Sequence, residues 1–190
     1  MSFNVVAAVM QSLTPEVVTK IAAALGIDRA VALKAVSAIV PIILARFANR
    51  AATPDGARRL VEVLQGQDPG LLGQLGSALG GPHEGALIDY GTQMLRTALG
   101  EPAADGLVVA VGRYAGLDGK HAQNLFGVVA PVTAGTLASY VTANKLGAED
   151  LGKLLASQAD AFSQALPTGL LPFLSPAEPA PVTVMPHRRA

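Results

Sequence analysis

The sequence predicts an all-α protein, two related multi-helix units packed in one body, with proline-kinked central helices and a proline-rich C-terminal tail. Three observations carry that expectation. Alanine and glycine together supply 54 of 190 residues, while aromatics are 4% and tryptophan is absent. Such a composition suits helices that approach closely, whereas β-sandwiches draw on aromatic and β-branched residues. Helix starts and stops are written out in capping residues. A Gly–apolar–Asp corner followed by a mid-helix proline occurs twice, ninety residues apart.

The starts come first. Thr14-Pro15, Thr53-Pro54 and Asp68-Pro69 each place a capping oxygen before a proline. The oxygen accepts an orphan N–H of the first turn, and proline at the first helical position has no N–H to lose. At Leu25-Gly26-Ile27-Asp28, Gly26 can close one helix in the left-handed region and Asp28 can cap the next. Gly116-Leu117-Asp118 repeats that corner, and at the same offset Ala32 matches Ala122, Pro41 matches Pro131 and Ala48 matches Ala138. With one residue inserted, Gly56-Ala57, Leu60 and Leu64 match Gly147-Ala148, Leu151 and Leu155. The pattern reads as a duplicated unit, about 14–80 and 104–166.

The domain plan follows: a first unit over 1–80, a linker and connecting helix over 81–103, a second unit over 104–166, and an extended tail over 167–190. The connecting helix is expected over Ala86–Leu99, ended by Gly100-Glu101-Pro102. Pro41 and Pro131 each remove a helix hydrogen bond and crowd the preceding turn, so both long helices are expected to kink or break. The tail holds six of the thirteen prolines, and its Leu170, Leu171, Phe173 and Leu174 could dock on the body.

The first pass of the repeat carries Ala-Leu-Gly-Ile-Asp at 24–28, Ile-Val-Pro-Ile-Ile-Leu at 39–44 and Gly-Leu-Leu-Gly-Gln-Leu-Gly at 70–76. The second carries Ala-Gly-Leu-Asp at 115–118, Val-Val-Ala-Pro-Val at 128–132 and Leu-Gly-Ala-Glu-Asp-Leu at 146–151. In these motifs residues 20–160 resemble the YidB-like group of bacterial proteins of unknown function. The resemblance implies a small helical bacterial protein and brings no catalytic residues. The linker between passes is shorter than is usual in the group, which implies a compact arrangement.

Composition also excludes. Hydrophobic residues make up 51%, mean hydropathy is +0.41, and fourteen cationic side chains balance fourteen acidic ones. That is not a disordered chain, nor the charge of a polyanion binder. Without cysteine there is no disulfide, thiolate metal site or cysteine nucleophile. Phosphate-loop, dinucleotide, nucleophile-elbow and zinc-protease motifs are missing, and the Gly70–Gly81 stretch lacks a following lysine. His83 falls in the linker and His187 in the tail. His121 follows Asp118 by three, which suits a surface histidine beside its capping aspartate better than a metal or acid–base site. Asp28 and Asp118 are explained by capping, and Glu149-Asp150 by the first turn of a helix. No catalytic, cofactor or metal residues are assigned, and no cofactor is expected.

Two groups stand out as candidates. Arg46 and Arg50 lie a turn apart with Arg58 and Arg59 soon after, a basic cluster for a partner in a unit of net charge +2, against −3 over 84–166. Ile39, Val40, Ile43, Val128, Val129 and Val132 are the residues that would line an apolar cavity between the two bent helices.

The functional expectation is a non-catalytic helical module for protein interaction or self-association. The alternatives are a carrier of a small apolar ligand or lipid between the bent helices and, further off, a weak DNA-binding domain; nucleic acid is not the favoured partner. His121–Asn144 is uncharged apart from its histidine and long enough to span a bilayer, but its polar residues favour a buried core helix over membrane contact. Val5–Met10 is too short and too little flanked by cations for a signal peptide, so the chain reads as cytoplasmic.

Overall fold

The structure is a computed structural model and describes residues 4–66, 81–166 and 170. Among them are nine helices and no strand: α1 Val5–Ser12, α2 Pro15–Leu25, α3 Arg29–Ala51, α4 Pro54–Gln65, α5 Glu84–Leu99, α6 Glu101–Ala115, α7 Gly119–Ala143, α8 Ala148–Ser157 and α9 Ala159–Ala165. The fold is all-α, as the composition predicts. The helix start at Asp68-Pro69, the Gly70–Gly80 stretch, His187 and the tail beyond Leu166, Leu170 excepted, lie outside the described residues.

The caps form as their residues require. Thr14 Oγ1 accepts from Val17 N at 3.3 Å and Thr53 Oγ1 from Gly56 N at 3.2 Å. Asp28 Oδ1 accepts from Ala30 N and Asp118 Oδ1 from His121 N, each at 2.8 Å. Gly26 and Gly116 close α2 and α6 at φ 69° and 76°, a conformation that costs glycine nothing sterically. Helix α5 begins two residues before the expected Ala86, within the usual play of helix ends. At its other end, Pro102 lies in the first turn of α6 rather than in a break after α5. Gly100, at φ 87°, turns the chain so sharply that the next helix starts at once.

Helices α3 and α7, of 23 and 25 residues, form the centre, and each runs on as helix past its proline. Their mid-sections are apolar on all sides and buried on all sides, as such a pattern demands in a folded body. By length and composition alone both could cross a membrane, yet 67% and 72% of their apolar windows are buried inside the protein.

One hydrophobic cluster runs through both halves, from Val5 to Leu170. The halves interleave: α1 packs on α7, α4 crosses α8, and α8 and α9 pack on α3. Buried Gln158 Oε1 accepts from Val5 N at 2.7 Å, fastening the first helix to the α8–α9 junction. The most intimate helix pair is α5 with α7. A Cβ on Gly91 would collide with the Gly127 carbonyl, and one on Gly127 would lie 2.6 Å from the Ile88 carbonyl oxygen. Only two glycines let those backbones meet.

Candidate functional site

Helix α6 has an inner face that holds it to the core and an outer face that the described residues leave partly open. Ala104, Leu107, Ala110 and Val111 are buried. Asp105, Gly106, Val109 and Arg113 recur at helical spacing on the other side, and Val109 is 51% exposed. A cavity of about 740 Å³ opens beside Val109, lined by Gly106, Ala110, Arg113, Tyr114 and Asp105. Leu170 closes one side of it and is itself only 2% exposed, so one apolar residue of the tail docks on the body. Lys34 Nζ stands 4.7 Å from the centroid of the Tyr114 ring, a cation–π contact that ties this end of α6 to α3.

The opposite flank of Val109 borders a smaller cavity of about 250 Å³, where α5, α6 and the start of α7 meet. Two buried polar atoms among its lining residues, Thr92 Oγ1 and Arg96 Nε, have no hydrogen-bond partner among the described residues. Arg96 Nη2 lies 3.5 Å from Asp105 Oδ1, a long ion pair.

A third cavity, about 660 Å³, lies between the α3–α4 corner and α8. Its floor is made of small residues, Ala51, Ala57, Ala148, Gly152 and Ala156. The charges at its rim are spent within their own helices, Arg58 on Asp55 and Lys153 on Glu149 at 2.8 Å.

The candidate groups read from the sequence fall elsewhere. Ile39, Val40, Ile43, Val128, Val129 and Val132 are all buried in the central core, and none of them lines these three cavities. Arg46 and Arg50 are half-buried on α3, each with a buried Nε lacking a partner among the described residues. Burial disfavours the charge on Arg46 and pushes its pKa down. Arg58 and Arg59 are exposed on α4.

Asp118 caps α7 and its Oδ1 lies 2.7 Å from His121 Nδ1. The hydrogen bond from the His121 backbone, then that from the His121 ring, lowers the Asp118 pKa below the usual carboxylate value. His83 is exposed at the start of α5. Among the described residues no three His, Asp or Glu side chains gather as metal ligands. The α6 face carries none of the residues singled out from sequence. The signal for it was present: a mid-helix glycine beside an apolar residue flanked at four residues on each side by opposite charges.

The fold and these surfaces define a small all-α protein whose two long helices are largely spent on its own core and whose most exposed large apolar side chain among the described residues, Val109, is on α6. A family model described as a bacterial protein of unknown function (DUF937) matches residues 7–140. The chain belongs to that bacterial family, of which YidB is a member. No curated protein and no solved structure matches it.

Proposed function

We propose that the chain is a non-catalytic assembly module, derived by duplication of a helical unit, that binds protein through the outer face of α6. The observation that carries the reading is the exposed Val109 between two cavities on that helix. Isolated apolar surface residues are ordinary, but one flanked by clefts on both sides has the relief of a contact surface. The polar side chains support the same reading, because Asp28, Thr53, Asp55, Asp118, Glu149 and Asp150 are taken up in caps and intrahelical pairs.

The duplication is supported by the paired corners. Each has a left-handed glycine and a capping aspartate, and each leads into a long helix with proline at the matching position. We place the module in the cytoplasm, since most of the apolar surface of α3 and α7 is already covered by protein. Release of the protein into the supernatant on alkaline washing of membranes is the expected result, and retention with the lipid would remove that assignment.

The module reading is tested by purification from the native host with wild type and Val109→Glu in parallel. A stoichiometric protein partner, another copy included, is expected with the wild type and absent with the variant. A chain that elutes alone at 19.3 kDa in both preparations would refute it.

A further inference from the structure

We infer that the partner of the α6 face is a second copy of this chain, the two α6 helices packing antiparallel about a twofold axis beside Val109. The inference rests on the assembly-module reading and narrows it to one occupant. A twofold contact uses the same patch on both subunits, so the patch must complement itself. The α6 face does so in charge and in shape.

Charge comes first. Asp105 and Arg113 stand four residues before and four residues after Val109, on the same exposed stripe. A twofold axis at Val109 reverses the helix direction. It therefore sets Asp105 opposite Arg113 of the partner subunit and Arg113 opposite Asp105 of the partner subunit. A parallel pairing in register would put like charge against like. Among the described residues the Asp105 carboxylate pairs at long range with Arg96, which leaves it open to a second cation.

Shape agrees. Gly106, Val109, Ala110 and Arg113 follow the i, i+3, i+4, i+7 spacing that encloses one hole on a helix surface, and the large cavity lies there. Val109 stands out beside the hole as the knob. Gly106 explains itself in this arrangement. Glycine inside a helix is destabilising; at Gly106 an added Cβ would meet no atom of the described residues within 4 Å, and the missing side chain leaves room for a second helix to approach. The exposed stripe of α6 runs from Asp105 to Arg113, about 12 Å of seam. One helix pair of that length buries less than a standard interface, so the dimer is expected to be of the order of micromolar in affinity.

Light scattering over a concentration series reads the state directly. The wild type is expected to pass from monomer to dimer. Asp105→Arg and Arg113→Asp each set two like-charge pairs across the seam, and each alone is expected to dimerise about tenfold more weakly or not at all. Mixed together they pair opposite charges at both positions, and the mixture is expected to recover the dimer. Because the chain has no cysteine, Val109→Cys introduces a single thiol at the axis. It is expected to give a disulfide-linked dimer under mild oxidation, whereas Lys153→Cys, exposed on α8, does not. All four positions are exposed, so the fold tolerates the changes.

A dimer indifferent to these charges, or one that fails to cross-link through position 109, overturns the α6 seam and leaves the assembly module standing. A foreign partner bound to monomeric chain overturns the second copy and also leaves the module. A monomer that retains no partner removes both.

Discussion

The corner between α2 and α3 and the corner between α6 and α7 are built alike, while the long helices that leave them are treated differently. Gly26 and Gly116 take the same left-handed conformation. Ile27 N donates to Ala22 O at 3.0 Å, and Leu117 N donates to Gly112 O at 2.8 Å. Each corner is completed by a capping aspartate. Thirteen residues past that aspartate, Pro41 and Pro131 each deprive the carbonyl four residues earlier of its donor.

In α3 that residue is Ser37, which is exposed. In α7 it is Gly127, buried under α5 and in backbone contact with Gly91. The matching positions farther on also part. Arg46 and Arg50 each leave Nε unpartnered among the described residues, whereas Thr136 bonds Val132 O at 2.9 Å and contacts Ser12 Oγ at 3.4 Å. Local sequence sets a corner; what covers the helix beyond it depends on which neighbour arrives.

The sharpest way to break the comparison is at the carbonyls freed by the prolines. Gly91→Ala forces α5 off the Gly127 backbone and is expected to cost about 3 kcal/mol, at the upper end for overpacking. Ser37→Ala, at the corresponding place on α3, is expected to stay within about 0.5 kcal/mol of wild type. Urea unfolding of both variants measures the difference, and equal midpoints would contradict the asymmetry.

The likeness of the corners is sharpened by Gly26→Ala and Gly116→Ala. No atom lies within 4 Å of either added Cβ, so only the left-handed backbone penalty remains, about 1–2 kcal/mol. The two losses are expected to agree, and thermal melts of the pair would show it.

A smaller effect makes the Asp118 cap depend on pH. The pKa of Asp118 is lower in the folded protein than its ordinary value. The unfolded chain therefore takes up its proton first as pH falls. The stabilisation is complete above the unfolded pKa and is lost as pH drops through the folded one. Asp118→Ala is expected to be less stable than wild type at neutral pH, with the gap closing on acidification. A gap of constant size in pH-dependent urea titrations would show that the carboxylate charge plays no part. Smallest of all, Lys153→Ala breaks an exposed pair with Glu149 and is expected to leave the unfolding midpoint unchanged.

Much of the fold was legible because capping is chemistry between near neighbours in sequence. Thr14, Asp28, Thr53 and Asp118 marked true helix starts, and Gly26 and Gly116 marked true stops. The tight succession at Gly100 was not legible. A proline just past a glycine reads equally as the end of one helix or as the first turn of the next, and only the direction in which the chain packs decides.

The α6 face was less legible still. Val109 lies in an apolar run, Leu107–Val111, where each residue looks fit for a core. Which of them faces outward depends on where α5, α7 and α3 sit around it. The basic residues taken together from sequence also differ in setting, Arg46 and Arg50 half sunk in α3 and Arg58 and Arg59 exposed on α4.

The sequence by itself determined that the chain is helical, where its described helices cap, and that α3 and α7 must be buried. Those properties follow from backbone conformation and hydrophobic periodicity, which act over a few residues. Tertiary structure alone decided that α5 meets α7 backbone to backbone, that α1 crosses to the second half, and that the described residues leave one face of α6 open. These depend on contacts between residues far apart in the chain, whose geometry is set by all the packed helices together.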